Sequence, residues 1–263
     1  MMRILAFGNS HVGAWREAWE GLYAEFPDIE MDFFSLPEKI HARYRLRATG
    51  LFAPRRNVTP AERERVAGIN GRVECDLSAY DHAVWIGVAW HPERAAELAA
   101  LGDPYPVGDA GAGRPAYGAG FVTAALAQAA EGVAEAWVAV PALRYRPIVF
   151  GRPVYAETCL ASGHRLYAPW RGAQAHTAAL QVFLDSYRAE LVRAAAARGF
   201  GFLAPPADLS APTGLTRPAC LAAGGGAVDP AAPDARGDHS HMNALYGRRC
   251  IAHLLAEGLG LPL

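Results

Sequence analysis

The sequence of 263 residues has almost no lysine: Lys39 is the single one, and the other 24 of its 25 basic residues are arginine. Against 26 acidic residues this gives a formal net charge of -1, so no nucleic-acid partner is expected. No apolar run approaches the roughly 18 residues that cross a bilayer, so no membrane partner is expected either. Met1-Met2-Arg3 precedes an apolar stretch too short for a secretory signal, which predicts a cytoplasmic protein.

Cysteine patterns typical of metal sites are also missing. The four cysteines are widely spaced and form no C-x-x-C pair: Cys75, Cys159, Cys220 and Cys250. This spacing favours reduced, buried thiols over structural zinc. We therefore predict no metal site.

The sequence does contain alternating strand-like and helical patterns. Hydrophobic residues make up 52% of the chain, enough for a large core in a single domain spanning 1–263. The predicted strands are 4–7, 29–36, 80–88, 136–141 and 200–204, and the clearest predicted helices are 12–26, 121–131, 173–198 and 242–257. The alternation predicts an α/β fold of three α/β/α layers, flavodoxin-like, with a doubly wound parallel sheet of about five strands. The strand 80–88 is expected to lie beside the first.

Three segments are longer than ordinary connections between helices and strands. They lie near 102–120, 144–172 and 205–237, and glycine and proline are frequent in the first and last of them. Connections of this length are usually functional or mobile.

A polar turn, Gly8-Asn9-Ser10-His11, follows the first apolar run and precedes a helical pattern. A serine on such a turn presents its hydroxyl at the carboxyl edge of a parallel sheet, where open α/β folds bind ligands. The N-terminus of the following helix would stabilise negative charge that develops there. Ser10 is the predicted nucleophile, and a helix-capping serine is the alternative.

A second polar cluster, Asp238-His239-Ser240-His241, lies just before the last predicted helix. A serine nucleophile needs a general base, and the base needs a carboxylate to orient it. Asp238 and His241 are three residues apart and can meet if the segment turns helically, which favours His241 as the base. His239 is a rival base or a substrate-facing group. A metal held by His239 and His241 is disfavoured because no further ligands are suitably spaced.

Together the two clusters make the chain resemble the SGNH hydrolases, the superfamily of GDSL-like esterases and lipases. In that family the nucleophile follows the first strand in a Gly-Asp-Ser or Gly-Asn-Ser turn, as Ser10 does. An Asp-x-x-His before the C-terminal helix supplies the other two members of the triad, here Asp238 and His241. The resemblance implies ester hydrolysis without a cofactor.

The resemblance also implies an oxyanion hole, and there the sequence departs from the family pattern. The family uses the serine N–H, a glycine N–H after the second strand and an asparagine after the third. Ser10 and Gly50 match the first two, but Ala89 stands at the asparagine position. Loss of one oxyanion donor typically lowers turnover by about a hundred- to a thousandfold. His91 and Asn70 are the nearest candidates to replace it.

Arginine and aromatic side chains are interleaved in the segment 144–171, which is expected to leave the carboxyl end of the fourth strand and overhang Ser10. Guanidinium groups and aromatic rings suit a sugar, a carboxylate or a phosphate. The alternative is a loop that packs on its own aromatic residues. The predicted substrate contacts are His11, His91, Arg144 and His239.

The sequence therefore predicts a serine esterase that acts on a small-molecule or carbohydrate ester, such as a sugar O-acetyl group. Transfer of the acyl group to a sugar hydroxyl would make it an O-acyltransferase instead. A ligand-binding protein with impaired catalysis is the alternative that Ala89 suggests. A flavodoxin-like nucleotide binder ranks last because Gly8 to Gly13 lacks an extended glycine-rich phosphate loop. The sequence does not specify an oligomeric state.

Overall fold

A parallel five-stranded sheet forms the centre of the computed structural model, which describes residues 1–105, 113–228, 231–232 and 234–261. Its strand order is β10-β9-β6-β1-β2, and the strands are β1 (Met2–Gly8), β2 (Ile29–Ser35), β6 (His82–Val88), β9 (Ile148–Gly151) and β10 (Gly201–Leu203). Smaller strands pair separately: β3 (Tyr44–Leu46), β4 (Leu51–Pro54), β5 (Cys75–Asp76), β7 (Asp103–Pro104) and β8 (Ala116–Tyr117). The predicted neighbours β1 and β6 are confirmed as a parallel pair.

Helices cover both faces of the sheet. They are α1 (Val12–Leu22), α2 (Glu38–His41), α3 (Pro60–Asn70), α4 (Glu93–Leu101), α5 (Ala119–Ala134), α6 (Ala168–Ala173), α7 (Thr177–Ala197) and α8 (Ala244–His253). Alternate residues of β1 face opposite sides, as the pleat requires. Ile4 and Ala6 join the core beneath α1 and α8, whereas Leu5 and Phe7 join the core beneath α4, α5 and α7. The predicted three-layer α/β/α fold is confirmed.

The prediction for the fourth strand is wrong. Residues 136–141 form no strand: Trp137 is buried against the rings of Phe200 and Phe202, while Val138 is exposed. The place between β6 and β10 is taken by β9, in which every residue is buried. A short run that is apolar on both faces suits an interior parallel strand better than a run with one large buried residue.

The other predicted elements are present with shifted ends. The helix predicted at 12–26 ends as α1 at Leu22, and the one predicted at 173–198 begins as α7 at Thr177. Of the predicted long connections, 144–172 contains β9 and α6, while 106–112, 229–230 and 233 in the other two lie outside the described residues. None of the helices within the described ranges has the length and apolar character needed to cross a membrane. All four cysteines are free and buried.

Candidate active site

The turn after β1 is held by contacts that only small residues permit. Gly8 approaches Ile86 so closely that a Cβ there would lie 2.0 Å from the Ile86 carbonyl oxygen. Asn9 Nδ2 donates to the Gly87 carbonyl at 2.9 Å, and Asn9 Oδ1 accepts from the His11 amide at 3.1 Å. Gly87 has a φ of 77°, and a Cβ there would lie 2.0 Å from Asn9 Oδ1. The turn is therefore fixed to β6 by Gly8 and Asn9, the two residues that precede Ser10.

Ser10 lies where β1 gives way to α1, at the carboxyl edge of the sheet. The Val12 and Gly13 amides donate to the carbonyls of Asn9 and Ser10 at 3.1 and 3.0 Å, which begins the first turn of α1. No acceptor for the Ser10 amide is found in the part of the chain that the structure describes. That N–H and the positive end of the α1 dipole are placed to stabilise an anion beside the Ser10 hydroxyl.

The second cluster folds as the Asp-x-x-His spacing predicts. Asp238 Oδ1 accepts from the Ser240 amide at 3.2 Å and from the His241 amide at 3.1 Å. This turn leaves Asp238 Oδ2 free to accept from His241 Nδ1 at 2.8 Å. The next residues begin α8, whose first turn is capped by the Asn243 side chain.

The two clusters meet through a hydrogen bond between the ends of the chain. Ser10 Oγ donates to His241 Nε2 at 3.1 Å, so Ser10, His241 and Asp238 form one continuous hydrogen-bonded chain. Partial burial raises the pKa of Asp238, but hydrogen bonds from the Ser240 and His241 amides and from the His241 ring outweigh burial and lower it overall. Asp238 is therefore an ionised acceptor that fixes the tautomer of His241 with its free Nε2 facing Ser10.

His11 packs beside the predicted base. Its ring stacks on the His241 ring with a centroid distance of 5.7 Å. Burial, followed by the nearby His241 and Arg152, lowers the pKa of His11 to about 3. His11 is therefore neutral at physiological pH.

A small cavity of about 40 Å³ opens next to Ser10. This volume is smaller than that of a second cleft at the amino edge of the sheet, so the cavity suits a small group better than a large one. Its walls come from the turn after β1, from α2, from the segment after β9 and from the turn before α8: Asn9, Ser10, His11, Glu38, Arg152, Pro153, Tyr155, Arg236, Ser240 and His241. Arg152 and Tyr155 belong to the segment 144–171 that was expected to overhang Ser10, whereas sequence reasoning missed Glu38 and Arg236 as wall residues.

Gly50 is not at this site, which corrects the predicted oxyanion donor. The Gly50 amide donates to the Arg47 carbonyl at 2.9 Å, and its carbonyl accepts from the Leu77 amide at 3.0 Å. Leu77 precedes β6, so Gly50 lies at the amino edge of the sheet, opposite Ser10. The β3–β4 hairpin carries it there.

Arg144 and His239 are not among the residues that line the cavity. Arg144 lines a different cleft of about 530 Å³, which includes Ser78 and Asp81 just before β6 and so lies at the amino edge. His239 is only 1% exposed and its Nδ1 lies 2.9 Å from Thr158 Oγ1. The predicted substrate contact of Arg144 is wrong because the residue lies at the other edge of the sheet, and that of His239 is wrong because the residue is buried.

His91 lies beyond the carboxyl end of β6 but does not line the cavity. Its φ of 54° is unusual for a residue with a side chain, and its Nδ1 lies 2.8 Å from Glu93 Oε1. Its contact with substrate stays a prediction. The other candidate to replace the missing asparagine, Asn70, is already occupied: its side chain bonds to the Ser35 amide and carbonyl and to the Val66 carbonyl.

Within the described ranges, no group of three or more histidine, cysteine, aspartate and glutamate side chains is arranged to hold a metal ion. Comparison with protein-family models and with curated proteins finds no match for the chain.

Two solved structures are similar over almost the whole chain. One is an extracellular lipase from Streptomyces rimosus, 12% identical with a TM-score of 0.39, and the alignment covers 98% of this chain and 99% of that one. The other is a DUF4886 family protein from Bacteroides uniformis, also 12% identical with a TM-score of 0.39, covering 98% and 82%. Similarity at this level is too weak to assign a function.

Proposed function

We propose that this protein is a serine-dependent hydrolase of oxygen esters of the SGNH type. The observation that carries the proposal is the hydrogen-bonded chain from Ser10 Oγ through His241 to Asp238 Oδ2, with distances of 3.1 and 2.8 Å. A nucleophile, a base and an orienting carboxylate within hydrogen-bond reach form the geometry of acyl transfer through a serine. The three side chains converge at the edge of the sheet where α/β folds bind their ligands.

The proposed reaction proceeds through an acyl-enzyme. Ser10 Oγ attacks the ester carbonyl while its proton passes to His241 Nε2, and the carbonyl oxygen becomes an oxyanion. His241 then returns that proton to the leaving alcohol oxygen as the carbon–oxygen bond breaks. A water molecule repeats the sequence on the acyl-enzyme: it gives a proton to His241, attacks the carbonyl and releases the acid and Ser10. Asp238 stabilises the imidazolium in both halves.

The size of the cavity favours a short acyl group. A volume of about 40 Å³ beside Ser10 suits an acetyl group and excludes a long fatty chain unless the walls move. The walls are mainly polar, which favours a hydrophilic alcohol such as a sugar on the other side of the ester.

Labelling with a small fluorophosphonate tests the proposed nucleophile, because the reagent phosphonylates an activated serine and adds a fixed mass. We expect a single adduct on the native protein, and its loss in both Ser10→Ala and His241→Ala. Ser78→Ala is the matched control, since Ser78 lies before β6 at the amino edge of the sheet, and it is expected to label fully. An adduct that persists in Ser10→Ala would disprove the proposal.

Ala89 supports a second candidate, a ligand-binding protein of the same fold whose catalysis is impaired. The family resemblance places an oxyanion asparagine there, and an alanine side chain donates no hydrogen bond. Folded native protein that forms no fluorophosphonate adduct and hydrolyses no acetyl ester would favour this candidate.

A further inference from the structure

Arg152 enters the cavity from the strand next to β6. It is the first residue after β9, and its amide donates to the Val88 carbonyl at 2.9 Å. Val88 immediately precedes Ala89, so Arg152 leaves the sheet beside the position where the family pattern has its asparagine. Its placement at a strand end fixes the main chain of Arg152 to the edge of the sheet.

The Arg152 guanidinium faces the other residues of the cavity. Its Cζ lies 5.8 Å from the centre of the Tyr155 ring, and Tyr155 is a wall residue. His11, another wall residue, has a pKa lowered first by burial and then by the charges of His241 and Arg152. The guanidinium therefore lies against the Tyr155 ring and near enough to His11 to act on its pKa.

Among the described residues, no carboxylate forms an ion pair with Arg152. Burial raises the pKa of Glu93, but the hydrogen bond with His91 and, less strongly, the Arg152 charge help to lower it overall. Glu93 Oε1 is bonded to His91 and Oε2 has no hydrogen-bond partner among the described residues, so Glu93 lies near Arg152 without pairing with it. Glu38 is the single carboxylate on the cavity wall, and it is exposed. Arg236, an exposed residue, belongs to the same wall and also has no ion-pair partner in the described part of the chain.

Resting on the proposed hydrolase function, we propose that the ester substrate carries an anionic group, a carboxylate or a phosphate, that binds Arg152 and Arg236 while its acyl group occupies the cavity beside Ser10. Guanidinium groups bind these anions through paired N–H donors and do so most strongly where water is excluded. Two arginines from different segments carry more positive charge than a single oxyanion needs for its stabilisation. An anionic group on the leaving alcohol would pair with both of them.

Binding to the Ser10→Ala variant tests this inference without catalysis. The probes are 3-acetoxybenzoate, the neutral 3-acetoxybenzamide and 3-acetoxyphenyl phosphate, measured by calorimetry. We expect at least one anionic ester to bind about tenfold or more tightly than the amide, since a hydrogen bond to a charged group is stronger than one to a neutral group. The better of the two anions identifies the group. Equal binding of all three esters would overturn the proposal.

Arg152→Gln in the Ser10→Ala background should abolish the preference for the anion and leave binding of the amide within about twofold. Arg146→Gln is the matched control: Arg146 is an exposed arginine just before β9, at the other end of the same strand. It should retain the full preference.

Kinetics on the enzyme with Ser10 intact distinguish anion binding from oxyanion stabilisation. If Arg152 holds the substrate anion, Arg152→Gln lowers kcat/KM for the anionic ester about tenfold, mainly through KM, and hardly changes that for the amide. An equal fall in kcat for both esters would assign Arg152 to the oxyanion and overturn the proposal. If the native protein hydrolysed none of these esters while Ser10→Ala still preferred the anionic ones, the hydrolase function would be refuted and the anion-binding site would not.

Discussion

Two Asp-x-Ser turns with the same local hydrogen bonds lie at opposite edges of the sheet. In the first, Asp76 Oδ1 accepts from the Ser78 amide at 2.9 Å and from the Ser78 hydroxyl at 2.7 Å. In the second, Asp238 Oδ1 accepts from the Ser240 amide at 3.2 Å and from the Ser240 hydroxyl at 3.4 Å. The first turn leads into β6 at the amino edge, whereas the second lies beside Ser10 at the carboxyl edge.

The residue after each serine makes the difference. Ala79 follows Ser78, but His241 follows Ser240 and uses the second oxygen of Asp238. The same turn is therefore a capping device at one edge and the support of the proposed base at the other. The local motif therefore positions the carboxylate. What the carboxylate does depends on the residue that follows the serine and on the edge of the sheet where the turn lies.

Replacing each aspartate by asparagine should show the largest difference between the two turns. Asp238→Asn keeps an acceptor for the turn amides but presents no carboxylate to His241, which disfavours the tautomer with a free Nε2. We expect kcat for acetyl ester hydrolysis to fall by about 10³- to 10⁴-fold. Asp76→Asn, the matched control, should retain native kcat and a native melting temperature.

The outcome is read from steady-state kinetics together with circular dichroism of both variants. A comparable kcat for Asp238→Asn and the native enzyme, with folding unchanged, would show that the Asp238–His241 hydrogen bond has no role in catalysis.

How much could be predicted depended on whether the signal was local. Ser10, Asp238 and His241 were identified because a strand-to-turn junction and a three-residue spacing are both readable over a few residues. The packing that joins them, such as Asn9 against Gly87, involves residues far apart in sequence, and no pattern in the sequence pointed to it.

Two errors at the site, those for Arg144 and Gly50, follow from one misplaced strand and one hairpin. With the fourth strand predicted at 136–141, Arg144 follows it and is expected at the carboxyl edge. The strand is Ile148–Gly151, so Arg144 precedes it and lies at the amino edge, while Arg152 takes the position after it. Gly50 was misplaced because it does follow β2, but the β3–β4 hairpin returns the chain to the amino edge.

A glycine pair provides the next test, which separates backbone strain from the contact that supports Ser10. Gly87 and Gly71 have similar φ angles of 77° and 69°, but only Gly87 has a neighbour, Asn9, at the place of a Cβ. Gly71→Ala should lower the free energy of unfolding by about 1 kcal/mol, the cost of a side chain in this conformation. Gly87→Ala should cost about 1–3 kcal/mol more because Asn9 must move.

Urea denaturation measures both free energies, and kinetics measure the effect on the site. We expect Gly87→Ala to lose activity as well as stability, since Asn9 holds the turn that carries Ser10, while Gly71→Ala stays fully active. Equal destabilisation by the two substitutions would mean that the Asn9–Gly87 contact is not a constraint on the turn.

The smallest expected effect concerns His41, which lies just beyond β2 at the carboxyl edge and accepts a hydrogen bond from Trp85 Nε1 at 3.2 Å. Burial, partly offset by Glu38, lowers the pKa of His41 to about 4, below the value of about 6.5 of an unfolded histidine. Between these two values the unfolded chain binds a proton that the folded protein does not, so His41 makes the protein less stable as pH falls from 6.5 to 4. Its contribution to the slope is at most about 1.4 kcal/mol per pH unit.

His41→Gln should flatten the pH dependence of stability in this range, because glutamine still accepts from Trp85 but does not titrate. The free energy of unfolding of the variant and of the native protein is measured by urea denaturation at pH 8, 6 and 5. Near pH 8 His41 is neutral in both the folded and the unfolded native chain. The pH dependence of stability should therefore agree between native protein and variant there, which serves as the internal control. If the variant lost stability on acidification as steeply as the native protein, His41 would have to bind its proton in the folded protein as readily as in the unfolded chain, and the lowered pKa would be wrong.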